Sequence, residues 1–105
     1  MDGERFGRAV SPRELEALGA ESSAAARVLQ RCVAEHHVAE VDYTDLHLKR
    51  ETLRVRPAVI SVNSAGHVVL WCMPVGIDEW RELLLDRVAR ASDTGEGFTP
   101  PWPDR

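Results

Sequence analysis

The chain has 105 residues, of which 44% are apolar and 29% are charged, and this fits one globular domain with a modest core. No apolar run approaches the roughly 18 to 20 residues that cross a bilayer, and residues 1–10 lack the apolar stretch of a secretory signal, so we expect a cytoplasmic protein that binds no membrane. The net charge of −4 argues against a protein that coats nucleic acid through charge alone.

Two helices are predicted after a loosely ordered stretch at residues 1–10. The first starts with an N-cap, a first-turn proline and a capping-box glutamate, which are Ser11, Pro12 and Glu14. It ends at about Leu18, before Gly19. The second begins at residues 21–23, carries apolar residues at helical spacing, and ends near His36 or His37.

After this helix the spacing of the apolar residues changes from the helical period to the two-residue period of a strand. Alternation predicts a strand at residues 38–43, in which Ala39, Val41 and Tyr43 share one face. A polar connection at residues 44–51 leads to a second strand, where Arg54 and Arg56 point away from the apolar face. Pro57 predicts an edge or a bend in that strand. A turn at residues 63–66 precedes a strand at residues 67–73 that is apolar on both faces.

The next stretch, residues 78–88, fits both types of element. The spacing of Ile77, Trp80, Leu84 and Val88 predicts a helix, whereas Arg81, Leu83 and Leu85 also fit one strand face. Periodicity alone favours the helix. Residues 93–105 are rich in Gly and Pro, and this composition predicts a tail.

The chain contains cysteine, histidine and serine, but not at the spacings that metal sites or catalytic sites require. Cys32 and Cys72 lie among apolar neighbours in no CxxC or His-rich pattern, so we expect two buried free thiols. The four histidines match no metal-site spacing, and no Gly-x-Ser-x-Gly motif is present. We therefore predict no metal site, no cofactor and no enzymatic activity.

Four segments, taken in order, resemble the WYL domain family. They are the helix Arg27–Glu35 leading to Val41-Asp42-Tyr43, then Arg54-Val55-Arg56-Pro57, then residues 65–70, and finally residues 81–88. Phe98-Thr99-Pro100 also falls where family members often carry Phe and Pro. Two positions depart from the family pattern, since Val68-Val69-Leu70 stands where the family has Trp-Tyr-Leu and Leu84 replaces the second arginine of the fourth motif.

The resemblance implies a mainly β fold with an N-terminal helix (α+β), in which about five strands form a small Sm-like or SH3-type β-barrel. It implies a strand over residues 79–85 and another from about Val88, against the helix that periodicity favours. It divides the chain into a segment with a short helix (residues 1–23), a WYL-like domain (24–101) and a tail (102–105). Residues 1–23 are too short for a helix-turn-helix, so we expect a stand-alone or a diverged module.

The family's function implies a ligand-sensing module in bacterial transcriptional regulation. Residues 49–90 hold seven Lys and Arg against five acids, and arginine suits phosphate because its planar fork binds two oxygens. We expect an anionic ligand, a nucleotide or single-stranded nucleic acid, and a DNA-binding regulator as partner. The ligand-binding residues we predict are Tyr43, Arg54, Arg56, Trp71, Arg81 and Arg87.

Two other interpretations stay open. The same arginines fit solvated strand faces, and Tyr43, Trp71 and Trp80 fit the core or its edge. The missing aromatic residues and the acidic flanks favour a protein–protein interaction or homo-oligomerisation module that does not bind nucleic acid.

Overall fold

A computed structural model describes residues 6–102 of the chain. The predicted loose order of residues 1–5 and the predicted tail beyond Trp102 lie outside the described residues. Six strands and two helices follow in the order β1 (Arg8–Ala9), α1 (Pro12–Glu16), α2 (Ala20–Glu35), β2 (His37–Thr44), β3 (Arg50–Val62), β4 (Val68–Pro74), β5 (Arg81–Leu84) and β6 (Val88–Gly97), with a 3-10 turn, Leu85–Arg87, between β5 and β6.

Both helices form where the sequence predicts them. Ser11 caps α1 in a full capping box with Glu14, because each side chain accepts a hydrogen bond from the other residue's backbone N–H. Helix α2 runs from the residue after Gly19 to Glu35, and His36 ends it in a left-handed conformation with φ of 57°. The chain reverses there and enters β2 at once.

The strands form one antiparallel sheet in the order β5-β4-β3-β2-β6, and β1 pairs with the end of β3. The mainly β fold with a helix is therefore confirmed. Among residues 6–102, however, β5 and β6 are the two ends of the strand order and do not pair with each other, so the sheet is open. The closed Sm-like or SH3-type barrel stays a prediction.

The register between β3 and β4 is interrupted after Pro57, and β3 is not an edge strand; the predicted bend stays a prediction. The β2 ladder ends opposite Val55, and the register with β4 shifts between Pro57 and Val59. Since proline has no N–H to donate, it is tolerated where one ladder has ended and the other is interrupted.

Residues 81–97 form two strands, so the helix favoured by periodicity is wrong and the prediction from the family resemblance is confirmed. Leu83, Leu85 and Val88 are fully buried along this stretch. The tail predicted from residue 93 is also wrong for residues 93–97, which belong to β6. Asp93 pairs with Ala39, and Gly97 pairs with His37.

The core lies between α2 and one face of the sheet, which we call the core face. Four helix residues, Ala25, Ala26, Leu29 and Cys32, pack with buried strand residues that include Val41, Val55, Leu70, Cys72 and Leu83. The opposite face of the sheet is the outer face. Both cysteines are free and buried, as predicted.

The segment at residues 6–10 is ordered, contrary to the prediction. Arg8 and Ala9 pair with Val62 and Ser61 of β3. Gly7 has φ of 94°, and a Cβ at this position would lie 2.1 Å from the carbonyl oxygen of Val62. Glycine is therefore the residue that lets the segment lie this close to β3.

Candidate functional site

Tyr43 and Arg81 are brought together at the end of the core face. The Arg81 guanidinium carbon lies 5.9 Å from the centroid of the Tyr43 ring, within cation–π range. Arg81 also donates to Glu51 Oε2 at 3.1 Å, and Leu84 N–H donates to the Tyr43 hydroxyl at 3.2 Å. Tyr43 thus joins β2 to β5, and Glu51 already balances the charge of Arg81.

Arg87 has a structural contact of its own. Its Nη1 donates to the backbone carbonyl oxygen of Asp45 at 3.1 Å. This bond ties the 3-10 turn to the connection between β2 and β3.

Arg54 and Arg56 lie on the outer face, because they flank Val55, which is buried in the core. Arg54 pairs with Glu96 of β6. The Arg56 side chain is only 14% exposed and bonds to the connection after β4. The four predicted arginines therefore do not line one cleft.

Trp71 also lies on the outer face, since its neighbours Leu70 and Cys72 point into the core. Its indole N–H donates to the carbonyl oxygen of Phe6 at 3.2 Å, and the two rings lie 5.6 Å apart. This contact begins a series of ring contacts that we call the aromatic row. In order, its members are Trp71, Phe6, Trp80, Trp102, Phe98 and His36.

The aromatic row joins the two terminal segments of the described chain across one surface. Phe6 and Trp102 come from opposite ends of it, and both contact Trp80, at centroid distances of 5.0 and 5.2 Å. Of this row, the sequence predicted only Trp71 as a binding residue. The signal that could have indicated the rest is the placement of Phe and Trp in both terminal segments.

Beside Trp71 the surface opens into a groove of about 550 Å³, which we call the Trp71 groove. Phe6 and Trp71 supply its aromatic surface, and Arg8, Asn63, Ser64 and Glu82 supply polar groups. Asn63 Nδ2 donates to Glu82 Oε2 at 3.2 Å. This volume lies within the roughly 300 to 1,000 Å³ typical of small-molecule sites.

Arg8 is the cation of the Trp71 groove. It pairs with Glu14, and its side chain is 63% exposed. Its hydrogen bond with Glu14 raises the pKa of Arg8, and the same bond, helped by Ser11, lowers the pKa of Glu14 to about 2. An exposed pair of this kind contributes little stability, so an anionic group can compete with Glu14 for Arg8.

The thiols do not form a nucleophilic site. Burial, followed by the nearby Asp93 carboxylate, raises the pKa of Cys32 to about 11. Burial raises the pKa of Cys72 to about 12. Both thiols therefore stay protonated near neutral pH, the form that is unreactive.

Two features are absent from the described part of the chain. Within residues 6–102, no three His, Cys, Asp or Glu side chains are grouped so that they could hold a metal ion. In the same range, no helix has the length and apolar character to span a bilayer.

The fold is similar to part of a solved structure. The chain superposes on proteasome accessory factor B/C (PafBC) of Arthrobacter aurescens with a TM-score of 0.63 and 16% sequence identity. The similarity covers 87% of this chain but only 13% of the PafBC chain, so it shows a shared fold over a small part of that protein. No protein-family model and no curated protein matches the chain.

Proposed function

We propose that this chain is a WYL-like ligand-sensing module in bacterial transcriptional regulation, and that its ligand is a nucleotide or single-stranded nucleic acid. Two independent lines support the proposal. The sequence carries the four WYL-like segments in order, and the fold is shared with a part of PafBC. The likeness to PafBC supports a regulatory setting.

The observation that carries the proposal is the Trp71 groove, which offers both stacking surface and charge. A base stacks on Trp71 beside Phe6, an interaction worth about 1 to 3 kcal/mol per base in other proteins. Asn63 and Glu82 offer hydrogen bonds to the base edge. Arg8 leaves its exposed pair with Glu14 and binds the ligand's phosphate instead. The proposal therefore places the ligand on the outer face and not at Tyr43 and Arg81.

The mechanism we propose is a population shift. Phe6 lies on the N-terminal segment and Trp71 on β4, so a ligand held by both rings favours the state in which the segment is docked. A partner protein that carries the DNA-binding part then responds to whether that segment is docked.

Binding measurements on three single variants test the site. We would titrate the protein with nucleoside mono- and diphosphates and with labelled oligo-dT and oligo-U at low and moderate salt. Trp71→Leu should weaken binding about tenfold or more, because a stacking surface is lost. Arg8→Gln should weaken binding and lower its salt slope by about one. Arg13→Gln is the matched control, since Arg13 is an exposed arginine of α1 outside the groove, and it should bind as the parent does.

The same titrations can contradict the proposal in two ways. If none of these probes binds at any salt, the ligand class is wrong. If Trp71→Leu binds as the parent does while Arg81→Ala/Arg87→Ala loses binding, the ligand lies at Tyr43 and Arg81 and the Trp71 groove is not its site.

A further inference from the structure

The connection between β2 and β3 exposes two leucines at its tip. Leu46 is 71% exposed and Leu48 is 76% exposed, more than any other large hydrophobic residue within residues 6–102. Lys49 and Arg50 follow directly and are also exposed. We call residues 46–50 the hairpin tip, and it presents apolar side chains beside positive charge.

The backbone of the hairpin tip is held in place from several sides. The Asp45 carboxylate accepts hydrogen bonds from the N–H groups of His47 and Lys49 at 2.8 and 2.9 Å. Leu48 N–H and Arg87 both donate to the Asp45 carbonyl oxygen, at 3.0 and 3.1 Å. A surface that is ordered before binding loses less entropy when a partner docks.

Leu48 is an unusual residue for its position. Its φ is 64°, in the left-handed region that glycine or asparagine adopts at lower cost. The Leu48 backbone takes part in the turn, but its exposed side chain contributes nothing to the core. Such a residue points to a role in contact with another molecule.

A second surface of the chain has the complementary character. A depression of about 260 Å³ opens between α1, the 3-10 turn and the start of β4. Ala17, Leu18 and Val68 give it apolar walls, and Glu14 and Asp86 lie at its margin. We call it the α1 pocket. A cavity of about 150 Å³ already admits a benzene molecule, so the α1 pocket has room for a leucine side chain.

We propose that the hairpin tip of one copy of this chain docks in the α1 pocket of a second copy. Leu46 and Leu48 match the apolar walls in chemistry, and Lys49 and Arg50 match the charge of Asp86, whereas Glu14 is already paired with Arg8. Asp86 is exposed and, within the described chain, has no hydrogen bond or ion pair, so its charge is available to a partner. The interaction uses other residues than the Trp71 groove, although Glu14, which lines the α1 pocket, is the ion-pair partner of Arg8.

Sedimentation velocity over a range of protein concentrations, with circular dichroism as a folding check, tests this interaction. The wild-type chain should associate as concentration rises. The tip variant Leu46→Ser/Leu48→Ser and the pocket variant Ala17→Arg should each weaken association at least tenfold while keeping the wild-type spectrum. Ile77→Ser is the matched control, because Ile77 is also an exposed hydrophobic residue, at 51%, but lies outside both surfaces, and it should associate as the wild type does.

Mixing the two variants gives the sharpest result. The tip variant keeps an intact pocket and the pocket variant keeps an intact tip, so an equimolar mixture should form a 1:1 heterodimer at concentrations where each variant alone is monomeric. Trp71→Leu should associate as the wild type does, which separates this proposal from the ligand site.

Three outcomes would overturn the proposal. The first is a wild-type chain that stays monomeric at every concentration, and the second is an unchanged association in the tip variant. The third is a monomeric chain whose leucines bind phosphatidylserine vesicles, because the hairpin tip would then contact a membrane surface and not a second copy.

Discussion

The indole N–H of Trp71 donates to the carbonyl oxygen of Phe6 at 3.2 Å, and the Phe6 ring lies 5.6 Å from the Trp71 ring. This pair joins β4 to the segment before β1. Ser61 adds a second bond, from its hydroxyl to the same carbonyl oxygen of Phe6. The N-terminal segment is thus part of the packed outer face, and the candidate site depends on how it docks.

Gly7→Ala should undock this segment. The new Cβ would lie 2.1 Å from the Val62 carbonyl oxygen, and φ of 94° is already strained for alanine. We expect a lower Tm and a red shift of tryptophan fluorescence, because Phe6 would leave Trp71 and Trp80. Gly66→Ala is the matched control, since Gly66 has φ of 87° with open space around its Cβ position.

Comparing Gly66→Ala with Gly7→Ala separates the cost of backbone strain from the steric clash with Val62. Gly66→Ala should cost about 1 to 2 kcal/mol of stability from backbone strain alone and leave the tryptophan emission unchanged. Equal effects of the two variants on emission would show that the close approach of Gly7 to Val62 does not position Phe6.

Local patterns predicted the first half of the fold well. The capping box at Ser11 and the alternation of Ala39, Val41 and Tyr43 depend on near neighbours in the chain, so sequence shows them directly. Asp93 to Gly97 form a strand through pairing with residues more than fifty positions earlier. Their composition resembles a loop, so no local pattern could show this.

The candidate site was only partly predictable for the same reason. Sequence indicates which residues can bind an anion but not which of them already have partners. The acceptors of Arg81 and Arg87 lie on distant parts of the chain, at Glu51 and Asp45. Only the fold shows that these contacts occupy Arg81 and Arg87 and that the N-terminal segment lines a different groove beside Trp71.

Ser22→Ala should loosen the junction of α2 with β6. Ser22 is buried, and its hydroxyl donates to the Val88 carbonyl oxygen at 3.0 Å. Removing the donor leaves that carbonyl without this bond, at a cost of about 1 kcal/mol in the free energy of unfolding. Urea denaturation measures the loss. Ser64→Ala, at an exposed turn position, should change the free energy by no more than about 0.5 kcal/mol.

Acid should weaken the contact between β6 and the start of β2. Asp93 Oδ1 accepts a hydrogen bond from Gly95 N–H at 2.8 Å and lies 3.0 Å from His37 Nδ1, and these contacts hold the Asp93 pKa below its usual 3.8. The unfolded chain therefore takes up this proton at a higher pH than the folded protein does. The stability from Asp93 is complete well above pH 3.8 and is lost as the pH falls below that value.

Measuring Tm from neutral to acid pH tests whether stability falls with pH in this way. The Tm of the wild type should fall more steeply below about pH 4 than that of Asp93→Asn, which has no carboxylate to protonate. Glu79→Gln, which changes an exposed carboxylate on the β4–β5 connection, should follow the wild-type curve. Parallel curves for the wild type and Asp93→Asn would contradict the assignment.

Arg56→Met should release the connection between β4 and β5. Arg56 Nε donates to the Met73 carbonyl oxygen at 3.3 Å, and Nη2 contacts the carbonyl oxygens of Pro74 and Ile77 and the Asp78 carboxylate at 2.8, 3.0 and 2.9 Å. Methionine fills similar space but offers no donor. We expect a loss of about 1 to 3 kcal/mol.

Amide hydrogen exchange shows which part of the chain is destabilised in Arg56→Met. Amides of residues 75–80 should exchange faster in Arg56→Met, because their connection is no longer held against β3. Arg54→Met is the matched control on the same face, where one exposed pair with Glu96 is lost at a cost of about 0 to 1 kcal/mol. If both variants exchange alike, the bonds of Arg56 do not hold the connection against β3.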